Sequence, residues 1–425
     1  MRLRLFVLLA TCVGVLGPEV HAQRQKRVPS GRSLDKIAEE YLEADEKERA
    51  RFRREMDREY RPIERDRDLE KTRERLIELV RRHPGKQIET SGTHDFYPEK
   101  KSGKYIVRGA NSDTLFIGLH GGGVGSGDAE GMASAMGGGG FVWIFPEVLE
   151  KTERGWVDSG TDRFVLELVE AAKRTFPRID PNKIYVAGHS MGGHGTWSFA
   201  AHFPDIFAGG AAYAGGPSPY YRARGDSTIV AIEEGLLPNL YRQRFLCFQS
   251  SDDPRVPPEP NDFAMEKLKS WKQRFPDGFD HRYVRVDDRG HSAPAEGYLP
   301  TLEWIAEKPR DPRPKHFLWQ PVLDWQQDFY WLHWERPLPK VILEVKAEDN
   351  IITLDLIEGE GELGRFTLFL GDPIVDLDEE VVVVAQGKEL FRGKVEKTLS
   401  NLLWTLPRND PGRLFAASLE LNTHR

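Results

Sequence analysis

The sequence predicts an α/β fold: a mostly parallel, doubly wound sheet with charged helices before it and a β-rich region after it. Between residues 86 and 312, short apolar runs alternate with stretches of helical spacing, which is typical of strands joined by helical crossovers. Residues 23–85 are dense in charge and amphipathic, whereas residues 313–425 alternate with a period of two. These patterns, together with a distinct segment at residues 1–22, define the predicted domains.

Residues 1–22 have the pattern of a secretory signal peptide. The first four residues include Arg2 and Arg4, an apolar run follows to about residue 15, and the small residue Ala22 ends the segment. The run is too short to cross a bilayer comfortably. We therefore expect cleavage after Ala22, a secreted or periplasmic location, and no stable membrane insertion of the mature chain.

The charge balance of the mature chain narrows the class of partner. Cleavage after Ala22 leaves 58 basic and 66 acidic residues, a net charge of −8. A nucleic-acid backbone attracts basic surfaces. We therefore expect no nucleic-acid partner.

The charged segment at residues 23–85 contains helical stripes. Apolar residues between Leu34 and Leu42 recur at helical spacing, and two later stretches end near Pro62 and Pro84. We expect two or three helices that pack one side against the main domain. A coiled-coil arm is the alternative, although the apolar repeat is not a sustained heptad.

Residues 313–425 predict a separate β-sandwich, because short strand-like runs recur there at regular spacing and helical spacing disappears. Six aromatic residues crowd its first stretch: Trp319, Trp325, Phe329, Tyr330, Trp331 and Trp334. We favour packing between domains for this cluster, since aromatic side chains contribute much buried area at interfaces. Stacking on sugars, and so polysaccharide binding by the C-terminal region, is the alternative.

One motif in residues 86–312 indicates chemistry. The strand-like run at residues 184–187 leads through Gly188-His189-Ser190-Met191-Gly192 into a run of small residues with helical prospects. This is G-x-S-x-G between a strand and a helix, the context of a nucleophile elbow. Glycines two residues before and after the serine allow the close packing that such a sharp turn needs. Ser190 is therefore the candidate nucleophile.

A serine needs a base, and the base needs an orienting carboxylate. Asp252 and Asp253 follow the strand predicted at residues 245–248, and His291 follows the strand predicted at residues 283–286. The carboxyl ends of parallel strands meet at one edge of a sheet, where reactive loops lie. The two adjacent acids leave open which of them would contact the histidine.

Three motifs now carry a resemblance to a known group. Gly-His-Ser-Met-Gly-Gly at residues 188–193, Asp-x-x-Val-Pro at residues 253–257 and Gly-His at residues 290–291 resemble the secreted α/β-hydrolases of the dienelactone hydrolase and prolyl-oligopeptidase-like kind. That group includes esterases and proteins described as predicted peptidases. The resemblance covers about residues 86–312.

The resemblance implies an α/β-hydrolase fold and assigns roles to three residues. Ser190 would be the nucleophile, His291 the general acid/base and Asp253 its partner, because the acid of the group stands three residues before Val-Pro. Asp252 stays the alternative acid. The C-terminal β-rich region also resembles an accessory domain that is attached to such hydrolases in some bacteria.

A glycine run predicts the oxyanion hole. His120 and the three glycines after it follow the strand predicted at residues 113–119, and HGGG motifs in that place present backbone N–H groups to a tetrahedral intermediate. We expect Gly121 and Gly122 to supply one donor and Met191 the other. A nucleotide loop is the rival interpretation, but the run contains neither G-x-G-x-x-G nor Gly-Lys-Ser/Thr.

No metal or cofactor is expected, because the other histidines lack metal-ligand spacing. His120, His189, Tyr220 and Tyr221 are the candidates for pocket lining. The sequence thus predicts a serine hydrolase that acts on a small-molecule ester or peptide through an acyl-enzyme, with esters favoured because no propeller-like repeat is present. A prolyl-oligopeptidase-like peptidase and a carbohydrate-targeted binding protein are the alternatives.

Overall fold

A computed structural model describes residues 32–122, 127–152, 154–157 and 160–424. The predicted signal peptide lies outside these residues, as does Gly123 of the glycine run. No helix in the described ranges combines the length and the apolar character that crossing a bilayer requires.

The described residues form nine α-helices and nineteen strands. The helices are α1 (Leu34–Glu43), α2 (Glu46–Glu59), α3 (Asp66–Arg82), α4 (Ala129–Met136), α5 (Thr161–Thr175), α6 (Met191–His202), α7 (Glu259–Arg274), α8 (Leu299–Ala306) and α9 (Leu399–Thr405). The strands of the first half are β1 (Gly92–Tyr97), β2 (Ser102–Arg108), β3 (Leu115–Leu119), β4 (Val142–Pro146), β5 (Ile184–His189), β6 (Gly209–Tyr213), β7 (Pro219–Tyr221), β8 (Ile229–Ile232), β9 (Arg244–Ser250) and β10 (Asp280–Val286). Those of the C-terminal region are β11 (His316–Trp319), β12 (Asp328–Phe329), β13 (Leu332–Trp334), β14 (Ile342–Glu348), β15 (Ile351–Glu358), β16 (Arg365–Leu370), β17 (Val381–Ala385), β18 (Lys388–Gly393) and β19 (Ala417–Asn422).

Eight strands form the central sheet in the order β1-β2-β4-β3-β5-β6-β9-β10. Six neighbouring strands of this sheet, β4, β3, β5, β6, β9 and β10, run parallel to one another, and β2 runs antiparallel to both β1 and β4. Numbered within the sheet, this is the order 1-2-4-3-5-6-7-8 with the second strand reversed. The chain therefore has the α/β-hydrolase fold, and the predicted fold class is confirmed.

The apolar residues of these strands are buried on both faces of the sheet. Leu115 and Ile117 of β3 pack with the cluster that includes α5 and α6, while Phe116 between them packs with α4 and α8 on the other face. A continuous apolar run is typical of a strand covered on both sides by helices. The sheet is thus a rigid layer between two helical layers, and its carboxyl edge carries the loops described below.

The C-terminal region adds two further sheets, with the orders β11-β14-β15-β17-β18 and β12-β13-β16-β19. Aromatic side chains join them: Trp319 of β11 stacks on Phe329 of β12, with 5.0 Å between ring centroids. Trp319, Trp331 and Trp334 are at most 1% exposed. These three rings therefore offer no free face for stacking on a sugar and belong to a core continuous with that of the α/β region. Trp325 of the same aromatic stretch is 36% exposed, so polysaccharide binding there stays an untested alternative.

Outside the α/β region, two features differ from the sequence-based expectations. Helix α9 lies inside the β-rich region, where no helix was predicted; seven residues are too few to show a helical period, although Thr398 caps its N-terminus by accepting the Asn401 N–H. Helices α1 to α3 bury their apolar faces mainly against α9 and the chain beside it, in a cluster that includes Leu402 and Leu403. The N-terminal helices thus pack on the C-terminal region more than on the α/β sheet.

Candidate active site

Ser190 stands at a sharp turn between β5 and α6. Its backbone angles are φ 59° and ψ −121°, a combination that costs free energy for any residue with a side chain. The turn needs close backbone approach, because a Cβ on Gly192 would lie 2.0 Å from the carbonyl oxygen of Leu119. The strained serine is thus held by the strand and helix on either side of it, with its side chain at the carboxyl edge of the sheet.

His291 links Ser190 to Asp253. The His291 Nε2 atom lies 2.9 Å from Ser190 Oγ, and His291 Nδ1 lies 2.8 Å from Asp253 Oδ2. An ionised carboxylate can only accept, so Nδ1–H donates to Asp253 and Nε2 accepts from the serine hydroxyl. The fold therefore brings His291 into contact with Asp253, 38 positions away in the chain, and with Ser190, 101 positions away.

The carboxylate of Asp253 is held from several directions. Its side chain is fully buried, and Asp253 Oδ1 accepts the N–H groups of Arg255 and Val256, each at 2.9 Å. Burial alone would raise the pKa of Asp253, but these N–H groups and His291 outweigh it and hold the pKa below its ordinary value. Asp253 is therefore ionised at neutral pH and oriented toward the imidazole.

The neighbouring acid points elsewhere. Asp252 Oδ1 accepts from Ser250 Oγ at 2.5 Å and from the Gly290 N–H at 2.9 Å, and no contact joins it to the His291 ring. Of the two acids that the sequence left open, Asp253 is the one that faces the histidine. The residues by themselves left the register open because both acids lie on one short loop, whereas the resemblance to the hydrolases favoured Asp253.

The loop after β3 runs against the serine. A Cβ on Gly121 would lie 3.1 Å from Ser190 Cβ and 2.9 Å from the carbonyl oxygen of His189. Gly122 has φ +83°, which favours glycine. At the start of α6, the Met191 N–H has no acceptor among the described residues, as expected for the first position of a helix. Gly121 thus places the loop against Ser190, and Met191 with its N–H group directly follows Ser190.

The buried His120 side chain connects the loop at Gly121 to the chain after β4. Its side chain is 1% exposed, Nδ1 donates to the Gly121 carbonyl at 2.9 Å, and Nε2 accepts the Val148 N–H at 3.2 Å. Burial lowers the pKa of His120, so the ring is neutral. The sequence suggested pocket lining for His120, but the ring is too deeply buried for that and braces the loop instead.

His189 lies beside the histidine of the site. The two imidazole centroids are 5.0 Å apart, and Tyr298 hydroxyl lies 3.2 Å from His189 Nδ1. Burial, and then the nearby His291, lower the pKa of His189 to about 4. His189 is consequently uncharged at neutral pH and adds no positive charge next to His291. Tyr298 was not identified from the sequence, where no motif marks it.

A buried amide network supports the acid loop and was also not identified from the sequence. Gln249 Nε2 donates to the Val256 carbonyl at 3.0 Å and approaches Asp253 Oδ2 at 3.4 Å. Its Oε1 accepts from Asn261 Nδ2 at 2.9 Å. Both amides are fully buried. Such a network holds the loop from Ser250 to Val256 in one conformation.

Tyr220 and Tyr221, the other candidates for pocket lining, lie on the hairpin of β7 and β8. They are 55% and 51% exposed. Tyr220 borders a cavity of about 290 Å³ between α6 and the C-terminal region, whose lining includes His202 and Phe203 but neither Ser190 nor His291. The structure therefore places Tyr220 at a separate cavity, and lining of the site around Ser190 by these tyrosines stays an expectation.

Within the described ranges, no group of three or more His, Cys, Asp or Glu side chains is arranged to hold a metal ion. The side chains of Ser190, His291 and Asp253 contact one another. The fold and the connected serine, histidine and aspartate define the chain as an α/β-hydrolase-fold protein with a triad-like arrangement at the carboxyl edge of its sheet.

No protein-family model and no curated protein matches the chain. Solved structures resemble part of it. A thermostable esterase has a TM-score of 0.38 and 20% identity over 51% of this chain and 62% of its own, so the chain spans less than two thirds of that protein. Acetyl xylan esterase from Aspergillus awamori has a TM-score of 0.35 and 15% identity over 48% of this chain and 93% of its own.

Dipeptidyl peptidase 4 from Porphyromonas gingivalis has a TM-score of 0.33 and 14% identity over 48% of this chain and 33% of its own. Each aligned part is about half of this chain, comparable to the extent of the α/β region. With identities and TM-scores this low, the similarities decide neither the reaction nor the substrate.

Proposed function

We propose that the protein is a serine hydrolase that cleaves carboxylic esters through an acyl-enzyme. The observation that carries the proposal is the hydrogen-bonded series Asp253, His291 and Ser190, with the serine at a strained turn between strand and helix. Each group has the geometry that its proposed role requires: base within reach of nucleophile, and orienting carboxylate within reach of base.

In the proposed reaction, Ser190 Oγ attacks the carbonyl carbon of the ester while its proton passes to His291 Nε2. The carboxylate of Asp253 stabilises the imidazolium that forms. His291 then returns the proton to the departing alcohol oxygen as the carbon–oxygen bond breaks. Water, activated by the same imidazole, releases the acid and restores Ser190.

The negative charge on the substrate oxygen would be held by backbone donors. The Met191 N–H and the N–H groups of the loop at Gly121 and Gly122 are the candidates, since Met191 directly follows Ser190 and Gly121 lies against it. Donors fixed before the reaction stabilise the developing charge without reorganisation, and one such donor is typically worth about 3 kcal/mol of transition-state free energy.

Esters are proposed over peptides on two grounds. An alcohol is a better leaving group than an amine, so an uncomplicated triad suffices for esters. In addition, the described residues form the central sheet, one hairpin and the two C-terminal sheets, without a set of repeated propeller blades that would select peptides by size. Peptide hydrolysis is the outcome to examine next if esters are not cleaved.

The test is hydrolysis of a short aryl acetate by residues 23–425, beside Ser190→Ala and His291→Ala. We expect turnover by the wild type and a loss of at least about 10⁴-fold in kcat for each variant, because triad members act as a unit. A fluorophosphonate should label Ser190 in the wild type and leave the Ser190→Ala chain unlabelled.

Two other results would change the proposal. Labelling of Ser190 without ester turnover would mean that the nucleophile is intact and acts on another bond. Equal turnover by all three chains, or absence of both labelling and turnover in the wild type, would contradict the proposed function.

Export is part of the proposal and rests on residues 1–22. We expect the mature chain to begin at Gln23, because cleavage follows Ala22. N-terminal sequencing of protein recovered from the culture medium or the periplasm tests this. Recovery of the intact chain from the cytosol alone would contradict it.

A further inference from the structure

Two consecutive acids contact the loop of His291, one at the imidazole and the other at the backbone before it. Asp253 contacts the imidazole of His291, whereas Asp252 contacts the backbone just before it. Asp252 Oδ1 accepts the Gly290 N–H at 2.9 Å and the Arg289 N–H at 3.3 Å. Asp252 therefore binds the backbone of the two residues directly before His291, the proposed general base.

The backbone that Asp252 contacts has unusual dihedral angles. Asp288 and Gly290 have φ values of 56° and 54°, so left-handed conformations lie on both sides of Arg289. A positive φ costs glycine little, but it is less favourable at Asp288, which has a side chain, and it persists there where surrounding contacts hold it. Without an acceptor for its N–H groups, this segment would have access to other conformations, and His291 follows it directly.

Ser250 completes the contact. Its hydroxyl donates to Asp252 Oδ1 at 2.5 Å and accepts the Arg289 N–H at 3.2 Å. Ser250 is fully buried at the end of β9, whereas Asp252 is exposed. The hydroxyl, followed by the Gly290 N–H, lowers the pKa of Asp252, so the acceptor is ionised at neutral pH. The buried hydroxyl of Ser250 and the carboxylate of Asp252 thus connect the loop before His291 to the end of β9.

We infer that Asp252 is a positioning residue that holds the backbone at Arg289 and Gly290 so that His291 stays within reach of both Ser190 and Asp253. The inference rests on the proposed function. Because Asp252 is exposed, its hydrogen bonds compete with water and contribute little to folding stability. We therefore expect Asp252 to affect the position of the imidazole, and small displacements of a catalytic group change the reaction rate strongly.

The test compares Asp252→Ala with Asp252→Asn. Both remove the negative charge, but asparagine keeps an oxygen that accepts the two N–H groups. We expect kcat for the aryl acetate and the rate of fluorophosphonate labelling to fall about 10- to 100-fold in Asp252→Ala, with KM nearly unchanged. Asp252→Asn should recover most of both rates. The temperature of unfolding should be the same for the two variants.

Asp287→Ala is the matched control. Asp287 lies on the same loop and accepts from Ser251 Oγ, but it contacts neither the backbone before His291 nor the ring. Asp287→Ala removes one negative charge near the site, as the Asp252 variants do. It should leave kcat and the labelling rate within about twofold of the wild type.

The outcomes separate the inference from the proposed function. Equal losses in Asp252→Ala, Asp252→Asn and Asp287→Ala would show a charge effect and overturn the positioning role. Wild-type rates in Asp252→Ala would also overturn it while leaving the proposed hydrolase intact. If the wild type itself neither labels nor turns over, the proposed function fails and the inference fails with it.

Discussion

At the scale of single residues, the site depends on how closely backbone approaches Ser190. Gly121 is the clearest case, because the space where its Cβ would stand is occupied by the carbonyl of His189 and the Cβ of Ser190. The proposed oxyanion loop can lie against the nucleophile only where this side chain is missing. Distances from 2.9 to 3.1 Å are tighter than ordinary van der Waals contact, so an added methyl group must move the loop.

We therefore expect Gly121→Ala to lower kcat for an aryl acetate about 100-fold, with a smaller effect on KM, since the donor is displaced from the developing charge. Steady-state kinetics measure this. Gly138→Ala is the control, because nothing lies within 4 Å of a Cβ at that exposed glycine. Similar kcat values for the two variants would argue against an oxyanion role for the loop.

At the scale of elements, α6 joins the site to the rest of the molecule. Ser190 precedes its first residue, and His194, Ser198 and His202 follow along one face at spacings of four. His194 donates from Nδ1 to the Gly216 carbonyl at 3.0 Å, and Ser198 Oγ lies 3.1 Å from His202 Nδ1. The start of this face contacts the segment after β6 through His194, and its end contacts the C-terminal region, where Gln326 Nε2 donates to the His202 carbonyl. Both ends of α6 are therefore held in place.

His202 gives this element a pH dependence. Burial, and to a smaller degree His194, lower the pKa of His202 to about 4. Between that value and the ordinary value of 6.5, the unfolded chain binds a proton that the folded chain does not. Stability is therefore lost as the pH falls through this window, by at most about 3 kcal/mol from this residue.

We expect His202→Phe to make the free energy of unfolding less dependent on pH between 4 and 6.5 than in the wild type, since the group that takes up the proton is gone. Urea denaturation at several pH values measures this slope. Phe203→Leu is the control, because it weakens the same packing without a titratable group and should lower stability at every pH alike. An unchanged slope in His202→Phe would contradict the assignment.

At the scale of the whole molecule, the C-terminal region is attached by buried charges. Arg310 donates to Asn182 Oδ1 at 2.8 Å and to Asp410 Oδ2 at 2.6 Å, and Arg413 pairs with Asp205 at 2.7 Å. Asn182 lies just before β5 and Ser190 just after it. The attachment thus lies at the edge of the sheet opposite the site, and it leaves the carboxyl edge to the loops around Ser190.

Removal of one partner of this network should destabilise the whole chain. Burial alone would raise the pKa of Asp410, but Arg310 and other nearby cations lower it to about 2, so Asp410 is charged and paired. We expect Asp410→Ala to lower the free energy of unfolding by about 3–5 kcal/mol, because it leaves Arg310 buried without its counter-charge. Urea denaturation at pH 7 measures the loss.

Glu389→Ala is the matched control, since Glu389 pairs with Arg392 on the surface. Its midpoint of denaturation should stay close to that of the wild type. Equal midpoints for Asp410→Ala and the wild type would mean that the buried network does not secure the C-terminal region.

Much of the α/β region was predictable because its signals are local. A run such as residues 115–119 is apolar throughout, and the glycines around Ser190 lie next to one another in the sequence. Strand existence, strand order along the chain and the turn at Ser190 follow from such neighbours. Helix α9 and the cluster shared with α1 to α3 were missed, because their apolar faces pair residues that are more than three hundred positions apart.

The sequence by itself determined the fold class and the candidates Ser190 and His291, because strand periodicity and turn chemistry are properties of short segments. The motif spacing favoured Asp253 over Asp252, but only the tertiary structure places Asp253 against the imidazole and Asp252 against the Gly290 N–H. It also decided that His120 holds a loop in place, and that Trp319, Trp331 and Trp334 are buried in a core while Trp325 stays exposed. Direction and burial depend on which distant segments pack together, and no local pattern records that.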